Sequence, residues 1–291
     1  MQPKLEKIPA NILSSIAVKK EVTPFMDYPW HYHPEFEIIF VEESYGIRLM
    51  GNHIGNFSHY DLMFISPNLP HVWRNDPDFY QGRKDLKVVV YVIQFLASSL
   101  GEDFFALPEF AQIRDLFERG QQGILIKGNS IKKISKLIKK VYLSSGITRL
   151  VYFLKTLDAF ANAEEYELLS IPGYINSNPI QYTEKINKAV SYLMENFNKD
   201  INTQEVAKLV NMNESSFCRY FKTQTHKTCS RFLNEIRIAH ACKLLVNTRM
   251  TATQVCYEIG YNNISYFNRQ FKLITGLTAK AYARKYLNSV Y

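Results

Sequence analysis

An internal repeat with a period of about 50 residues dominates the last third of the chain. Its first copy, TQEVAKLVNMNESSFCRYFK, spans Thr203–Lys222, and its second, TQVCYEIGYNNISYFNRQFK, spans Thr253–Lys272. Downstream positions such as Phe217 and Phe267 match at an offset of 50, whereas upstream positions match at 49. We therefore expect one supersecondary unit to be built twice, with a one-residue insertion in the turn of one copy.

Each copy begins with the layout of a helix followed by a tight turn. The first helix carries a small residue, Ala207 in one copy and Cys256 in the other, where two helices have to approach closely. The turn then contains Asn211 or Gly260, and both residue types tolerate a left-handed backbone. This pattern predicts a helix-turn-helix in each copy.

The second helix of each copy begins after a good N-cap residue, Asn213 or Asn263. Phenylalanines four residues apart on this helix share one face and are expected to enter the core. They are Phe217, Phe221, Phe267 and Phe271. The residues between them turn outward, and an exposed basic helix of this kind fits the major groove of DNA. Ser230–Val246 is expected to be a rigid connecting helix.

The charge of the chain is concentrated in the same region. Residues 181–291 carry 16 Lys and Arg against 7 Asp and Glu, while the whole chain of 291 residues has a net charge of +8. A polyanion is the natural partner of such a segment, because each neutralised phosphate releases a counterion. A basic helical bundle without DNA binding is the alternative, and two units in register weigh against it.

These residues resemble the AraC/XylS family of bacterial transcription regulators, over Thr183–Tyr286 and most closely over Thr251–Tyr282. Ala279 and Ala283 depart from the usual Pro and Arg of the closing motif, and Asn211 from the usual Gly of the first turn. The resemblance implies that base-reading positions lie on the second helix of each unit. They are Ser215, Cys218 and Arg219, and Ser265, Asn268 and Arg269. Lys222 and Lys272 are expected to contact phosphates, and RNA polymerase is a partner by resemblance only.

The length of the chain fits two domains. Short β-branched and aromatic runs predict strands at Phe36–Val41, Ile47–Met50, Leu62–Ile65 and Val88–Phe95. Two amphipathic helices are predicted at Ile131–Tyr142 and Leu150–Ala163. We therefore predict a two-domain α+β chain: a ligand-sensing β-barrel at 1–96, a helical segment at 97–170 that is expected to mediate dimerisation, a linker at 171–182 and an all-α DNA-binding domain with two helix-turn-helix units at 183–291.

Two N-terminal motifs resemble those of the cupin β-barrels. They are HYHPEFE, at 31–37, and SPNLPHVWRN, at 66–75. We predict that His31, His33, Glu37, His71 and Trp73 line a pocket for a hydroxyl-rich small molecule such as a sugar, without a cofactor. Three His and one Glu are also the ligand set of metal-binding cupins. A barrel that holds a metal without catalysis and an active metalloenzyme are therefore kept as alternatives.

Other features exclude several classes of protein. Cys218, Cys229, Cys242 and Cys256 form no CxxC pair, so neither a zinc ribbon nor a disulfide framework is expected. The longest apolar run, Val88–Ile93, is far shorter than the ~20 residues that cross a bilayer. The first ten residues contain no apolar core of a secretory signal. A cytoplasmic protein is expected.

The sequence thus predicts a ligand-responsive, sequence-specific regulator of transcription that forms a homodimer on double-stranded DNA, makes no membrane contact and is not an enzyme. Two rivals remain open at this point. One is a metal-dependent cupin enzyme with an attached helical domain. The other is an architectural protein that binds DNA without regard to sequence.

Overall fold

A computed structural model describes residues 15–174, 184–248 and 250–287 of the chain. They form two compact units, one made mainly of residues before 175 and the other mainly of residues from 184 onward. Most of the expected linker, 171–182, lies outside the described residues. No described helix is long and apolar enough to cross a membrane.

The N-terminal unit contains two β-sheets. The larger has the strand order β1-β7-β2-β5-β8-β9 and the smaller the order β4-β3-β6. The strands are β1 (Ala17–Thr23), β2 (Phe36–Glu43), β3 (Gly46–Met50), β4 (His53–Phe57), β5 (Asp61–Ile65), β6 (His71–Asn75), β7 (Val88–Phe95), β8 (Ile124–Ile126) and β9 (Tyr166–Leu168). The four strands predicted from the sequence are confirmed within one or two residues.

The larger sheet is covered on both faces, which explains its nearly unbroken apolar strands. Alternate residues of a strand point to opposite sides. On β7, Val88, Val90 and Val92 pack toward the smaller sheet and close the core of the barrel. Val89, Tyr91, Ile93 and Phe95 pack toward helices on the other side.

Three helices cover that outer face: α1 (Ala111–Arg119), α2 (Ser130–Leu143) and α3 (Gly146–Ala161). The two helices predicted in this region are thereby confirmed. In the apolar stripe of α2, Ile134, Ile138 and Val141 are fully buried against the chain's own sheet, and Ile131 and Leu137 are partly buried there. These buried residues are not available for a contact between two chains.

Two further strands come from the segment expected to be helical. β8 pairs with β5 through Met63 and Leu125, and β9 pairs with β8. The segment 97–170 therefore supplies two strands to the larger sheet as well as helices that cover it. The expected division placed the whole barrel before residue 97. Three-residue strands are too short to show a period-2 pattern in the sequence, which is why they were not predicted.

The C-terminal unit is entirely helical in its described part, as predicted. Its helices are α4 (Glu184–Glu195), α5 (Thr203–Leu209), α6 (Glu214–Thr225), α7 (Cys229–Asn247), α8 (Ala252–Glu258), α9 (Ile264–Thr275) and α10 (Ala279–Leu287). The repeat corresponds to α5–α6 and α8–α9, and α7 connects the two pairs. The two-domain arrangement, with a β-rich unit followed by a helical helix-turn-helix unit, is confirmed.

Candidate functional site

The turns of the two helix-turn-helix units have the predicted backbone. Asn211 and Gly260 both have positive φ angles, 55° and 82°. Residues 210–213 connect α5 to α6 and residues 259–263 connect α8 to α9, so the extra residue of the repeat lies in the second turn. Ala207 and Cys256 are buried where each first helix approaches its neighbours.

The second helix of each unit is held at its N-terminus and on one face. The side chain of Asn213 accepts a hydrogen bond from Ser216 N, and that of Asn263 accepts one from Tyr266 N, both at 2.9 Å. Such caps satisfy backbone donors that the helix leaves without an internal partner. The phenylalanine pairs are fully buried, with ring centroids 5.4 Å apart in α6 and 5.6 Å apart in α9.

Because the phenylalanines fix which face enters the core, the opposite face of each helix is presented to solvent. All eight residues expected to contact DNA are exposed. They are Ser215, Cys218, Arg219 and Lys222 on α6, and Ser265, Asn268, Arg269 and Lys272 on α9. An exposed, cationic helix face of this kind is suited to a DNA groove and its phosphates. The aromatic residue Tyr266, which the sequence did not single out, lies 5.1 Å from the Arg269 guanidinium.

The barrel brings its predicted histidines together. The ring centroids of His31 and His71 are 4.4 Å apart, and those of His33 and His71 are 5.1 Å apart. One ligand atom of each of the three histidines lies within 4.8 Å of the others. Glu37 reaches the same point, with its Oε2 3.1 Å from His33 Nε2 and its Oε1 3.6 Å from His71 Nε2.

Backbone carbonyls determine which ring nitrogen of each histidine points into the cluster. The Nδ1 atoms of His31, His33 and His71 lie 2.9, 3.1 and 2.8 Å from the carbonyl oxygens of Pro29, Glu35 and Leu69. Because a carbonyl only accepts, each Nδ1 carries a proton. The Nε2 atoms are then directed inward, where His33 Nε2 donates to the Glu37 carboxylate. A neutral ring such as that of His71 presents an Nε2 lone pair, and this is the state in which histidine binds a metal.

The electrostatics of the cluster favour an anionic glutamate. Burial opposes ionisation of Glu37, yet the hydrogen bond from His33 and the nearby imidazoles outweigh it and lower the pKa of Glu37 below its usual range. Burial lowers the pKa of His71 to about 3, so this ring is neutral. For His33, burial is outweighed by the hydrogen bond and charge of Glu37, which raise its pKa. Gln94 Nε2 also donates to Glu37 Oε2, at 2.7 Å.

A small pocket of about 40 Å³ opens beside this cluster between the two sheets. Of the five predicted ligand residues, His31, Glu37 and Trp73 line it, while His33 and His71 do not. The remaining wall comes from residues that the sequence did not indicate. They are Lys19, Glu21, Met26, Tyr28, Ile39, Val90, Val92 and Gln94. β1 supplies Lys19 and Glu21, and its charged sequence, AVKKEVT, lacks the apolar alternation that would have predicted a barrel strand.

Comparisons with known proteins agree with the C-terminal geometry. A family model described as a helix-turn-helix domain matches residues 206–285, which contain α6 and α9. An uncharacterized helix-turn-helix transcriptional regulator of Pseudoalteromonas carrageenovora is 35% identical over 101 residues, covering 35% of this chain and 60% of that protein. Over this helical region the chain is similar to helix-turn-helix transcription regulators.

Longer alignments extend the similarity into the barrel. The raffinose operon regulatory protein RafR of Pediococcus pentosaceus is 24% identical over 253 residues, covering 86% of this chain and 84% of RafR. The transcriptional activator RhaS of Escherichia coli O81 (strain ED1a) is 21% identical over 275 residues, covering 89% of this chain and 88% of RhaS. Both alignments therefore include residues of the N-terminal unit as well as of the helical unit.

Proposed function

We propose that this chain is a cytoplasmic, sequence-specific transcription regulator of the AraC type that binds double-stranded DNA through α6 and α9 and a small molecule through its barrel. The observation that carries the proposal is the pair of capped, outward-facing cationic helices, repeated in one basic unit. Such helices enter successive segments of the major groove, about 34 Å apart. RNA polymerase, as a further partner, follows only from the family resemblance.

The eight exposed residues divide by chemistry into two roles. Arg219 and Arg269 lie in the middle of their helices and can each form two hydrogen bonds with a guanine. Lys222 and Lys272 lie one turn later, where a flexible ammonium group suits a phosphate. The shorter side chains of Ser215, Cys218, Ser265 and Asn268 complete the face that meets the bases.

Alanine variants of the arginines and lysines test this division. Arg219→Ala and Arg269→Ala should each cost about 1–3 kcal/mol of binding free energy on a selected duplex and relax the preference at the bases they read. Lys222→Ala and Lys272→Ala should weaken binding to all sequences alike and reduce the salt dependence. Dissociation constants for matched and single-base variant duplexes, measured over a range of salt concentrations, separate the two patterns.

Lys133→Ala provides the control, because Lys133 is an exposed cation on α2 in the other unit. It should leave the dissociation constant unchanged. Equal loss of affinity for all sequences in both arginine variants would contradict base reading and favour an architectural DNA binder.

For the barrel, we propose a neutral, hydroxyl-rich effector such as a sugar. The pocket combines apolar walls with polar groups at Lys19, Glu21, Gln94 and Glu37, and the Trp73 ring lies beside them. This mixture suits a sugar ring, which presents both hydroxyl groups and apolar faces. The name of RafR, which connects a relative to the raffinose operon, is consistent with this class of effector.

The histidine cluster supports a second candidate, a barrel that holds a divalent metal without catalysing a reaction. His31, His33, His71 and Glu37 would hold the ion, and the residues fit it: His71 Nε2 is buried and has no hydrogen-bond partner among the described atoms. Such a metal would supply a Lewis-acidic position next to the pocket. Zn²⁺, Mn²⁺ and Fe²⁺ all accept imidazole and carboxylate ligands.

One set of measurements distinguishes the two candidates. Purified protein is analysed for bound metal and then heated with a panel of mono- to trisaccharides, and with Zn²⁺ or Mn²⁺, because a ligand of the folded state raises the unfolding temperature. A sugar effector should raise the unfolding temperature of the parent chain but not that of the Lys19→Ala variant. A metal site should give stoichiometric metal that His33→Ala loses. Metal together with turnover would favour the enzyme instead.

A further inference from the structure

The two recognition helices differ in what surrounds their outward arginines. In α9, the guanidinium of Arg269 lies over the Tyr266 ring, 5.1 Å from its centre. The corresponding position of α6 is Ser216, and in the described part of the chain no ring lies under Arg219. A cation placed over an aromatic face is attracted to it. Arg269 is therefore held in fewer conformations than Arg219.

Tyr266 is itself held by the connecting helix α7. The buried side chain of Asn234 donates from Nδ2 to the Tyr266 hydroxyl at 3.0 Å. The same amide accepts a hydrogen bond from the Tyr261 hydroxyl through Oδ1, at 2.7 Å. Tyr261 lies in the turn before α9 and Tyr266 in its first turn. One amide of α7 thus fixes both ends of the segment where α9 begins.

The part of α7 that carries Asn234 is in turn anchored to the first half of the unit. Arg237, one turn later, donates from Nε to the Phe197 carbonyl and from Nη2 to the Lys199 carbonyl, both at 2.7 Å. Its guanidinium lies 5.2 Å from the centre of the Tyr261 ring. A continuous series of contacts therefore runs from the loop after α4 through α7 to Arg269.

We propose that Asn234 and Tyr266 are positioning residues that orient Arg269 for base recognition, so that the second unit reads its bases more selectively than the first. The inference rests on the proposed base-reading role of Arg269. Ordering a long side chain before binding reduces the entropy lost on the DNA. The effect of losing this order should be roughly 3- to 10-fold in affinity.

The test uses the full chain and a duplex selected from a random DNA library. Dissociation constants are measured for this duplex and for its single-base variants at one salt concentration. Arg219→Ala and Arg269→Ala first identify the bases that depend on α6 and on α9. The positioning variants are Tyr266→Ser, which introduces the residue type found in the first unit, and Asn234→Ala. Tyr266→Phe keeps the ring and removes only the hydrogen bond, and Ser216→Ala is the matched control in α6.

We expect Tyr266→Ser and Asn234→Ala to weaken binding of the selected duplex about 3- to 10-fold and to lose preference only at the bases that depend on Arg269. Ser216→Ala should change neither quantity. Tyr266 is partly exposed, so its variants should retain the parent's circular dichroism and unfolding temperature even if the buried Asn234→Ala does not.

Two outcomes would overturn parts of the scheme separately. If Arg269→Ala loses base preference and Tyr266→Ser keeps it at every position, the positioning role is wrong while the proposed function stands. If Arg269→Ala itself keeps full base preference, base reading by Arg269 fails, and the positioning role fails with it.

Discussion

Arg48 and Asp61 form an ion pair inside the barrel that the sequence did not indicate. Arg48 Nη1 donates to Asp61 Oδ2, and the Trp73 indole N–H lies 3.5 Å from the other carboxylate oxygen. Only 1% of Arg48 and 9% of Asp61 is exposed. A buried charge is costly when its partner is removed, because water cannot replace that partner.

Removal of the carboxylate charge alone should therefore destabilise the N-terminal unit strongly. We expect Asp61→Asn to lower the free energy of unfolding by about 3–5 kcal/mol, as measured by urea denaturation. The double variant Arg48→Met/Asp61→Leu should recover much of this loss, since no charge is then left unpaired. Asp85→Asn, in the exposed pair with Arg83, should leave the urea midpoint unchanged. An equally small effect of Asp61→Asn would contradict this assignment.

The histidines show how far residue patterns can predict a site. The motif HYHPEFE placed His31, His33 and Glu37 together and the second motif predicted His71 beside them, and the structure brings all four to one point. The motif could not indicate Gln94, which reaches Glu37 because β7 pairs with β2 at that register. Pairing between distant strands is set by the fold and not by neighbouring residues.

At the scale of elements, the two turns of the repeat use different residues to adopt the same left-handed backbone conformation. Both need a left-handed residue, and Asn211 suffices in the first turn. In the second, a Cβ on Gly260 would lie 2.6 Å from the backbone carbonyl of Asn198. This contact belongs to the same region in which Arg237 binds the neighbouring carbonyls. Glycine is therefore required here for space as well as for conformation.

Two glycine variants separate these requirements. Gly276 also has a positive φ angle, 75°, but a Cβ there would meet nothing within 4 Å. Gly276→Ala should cost only the conformational strain, about 1–2 kcal/mol. Gly260→Ala should cost clearly more, because the loop at Asn198 has to move. Urea denaturation of both variants is the measurement, and equal losses would show that the close approach has no energetic consequence.

At the scale of the whole molecule, an apolar surface remains exposed where α2 ends and α3 begins. It consists of Leu143, Ile147 and Val151, with exposed fractions of 79%, 73% and 43%. Ile147 and Val151 are one helical turn apart and share a face of α3. Since the stripe of α2 is buried on its own sheet, we propose that this surface pairs two copies of the chain.

A charge placed in this surface should separate the copies. We expect Ile147→Glu to convert a dimer into a monomer in sedimentation equilibrium, because a carboxylate would have to be buried in the contact. Leu107→Glu is the matched control, since Leu107 is also an exposed aliphatic residue but lies outside this surface. This variant should leave the mass of the assembly unchanged. A dimer that persists in Ile147→Glu would show that another surface is used.

The sequence alone determined the features that depend on local periodicity and on side-chain type. These are the tandem helix-turn-helix units with their caps and turns, the outward position of Arg219 and Arg269, the four longer strands and the histidine motif. Helix faces and N-caps are set by residues a few positions apart, so they can be predicted without a fold. Only the tertiary structure decided which histidines line the pocket, that β8 and β9 complete the larger sheet, and that Asn234 reaches Arg269 through Tyr266. Each of these depends on residues brought together from distant parts of the chain, and no local pattern records such contacts.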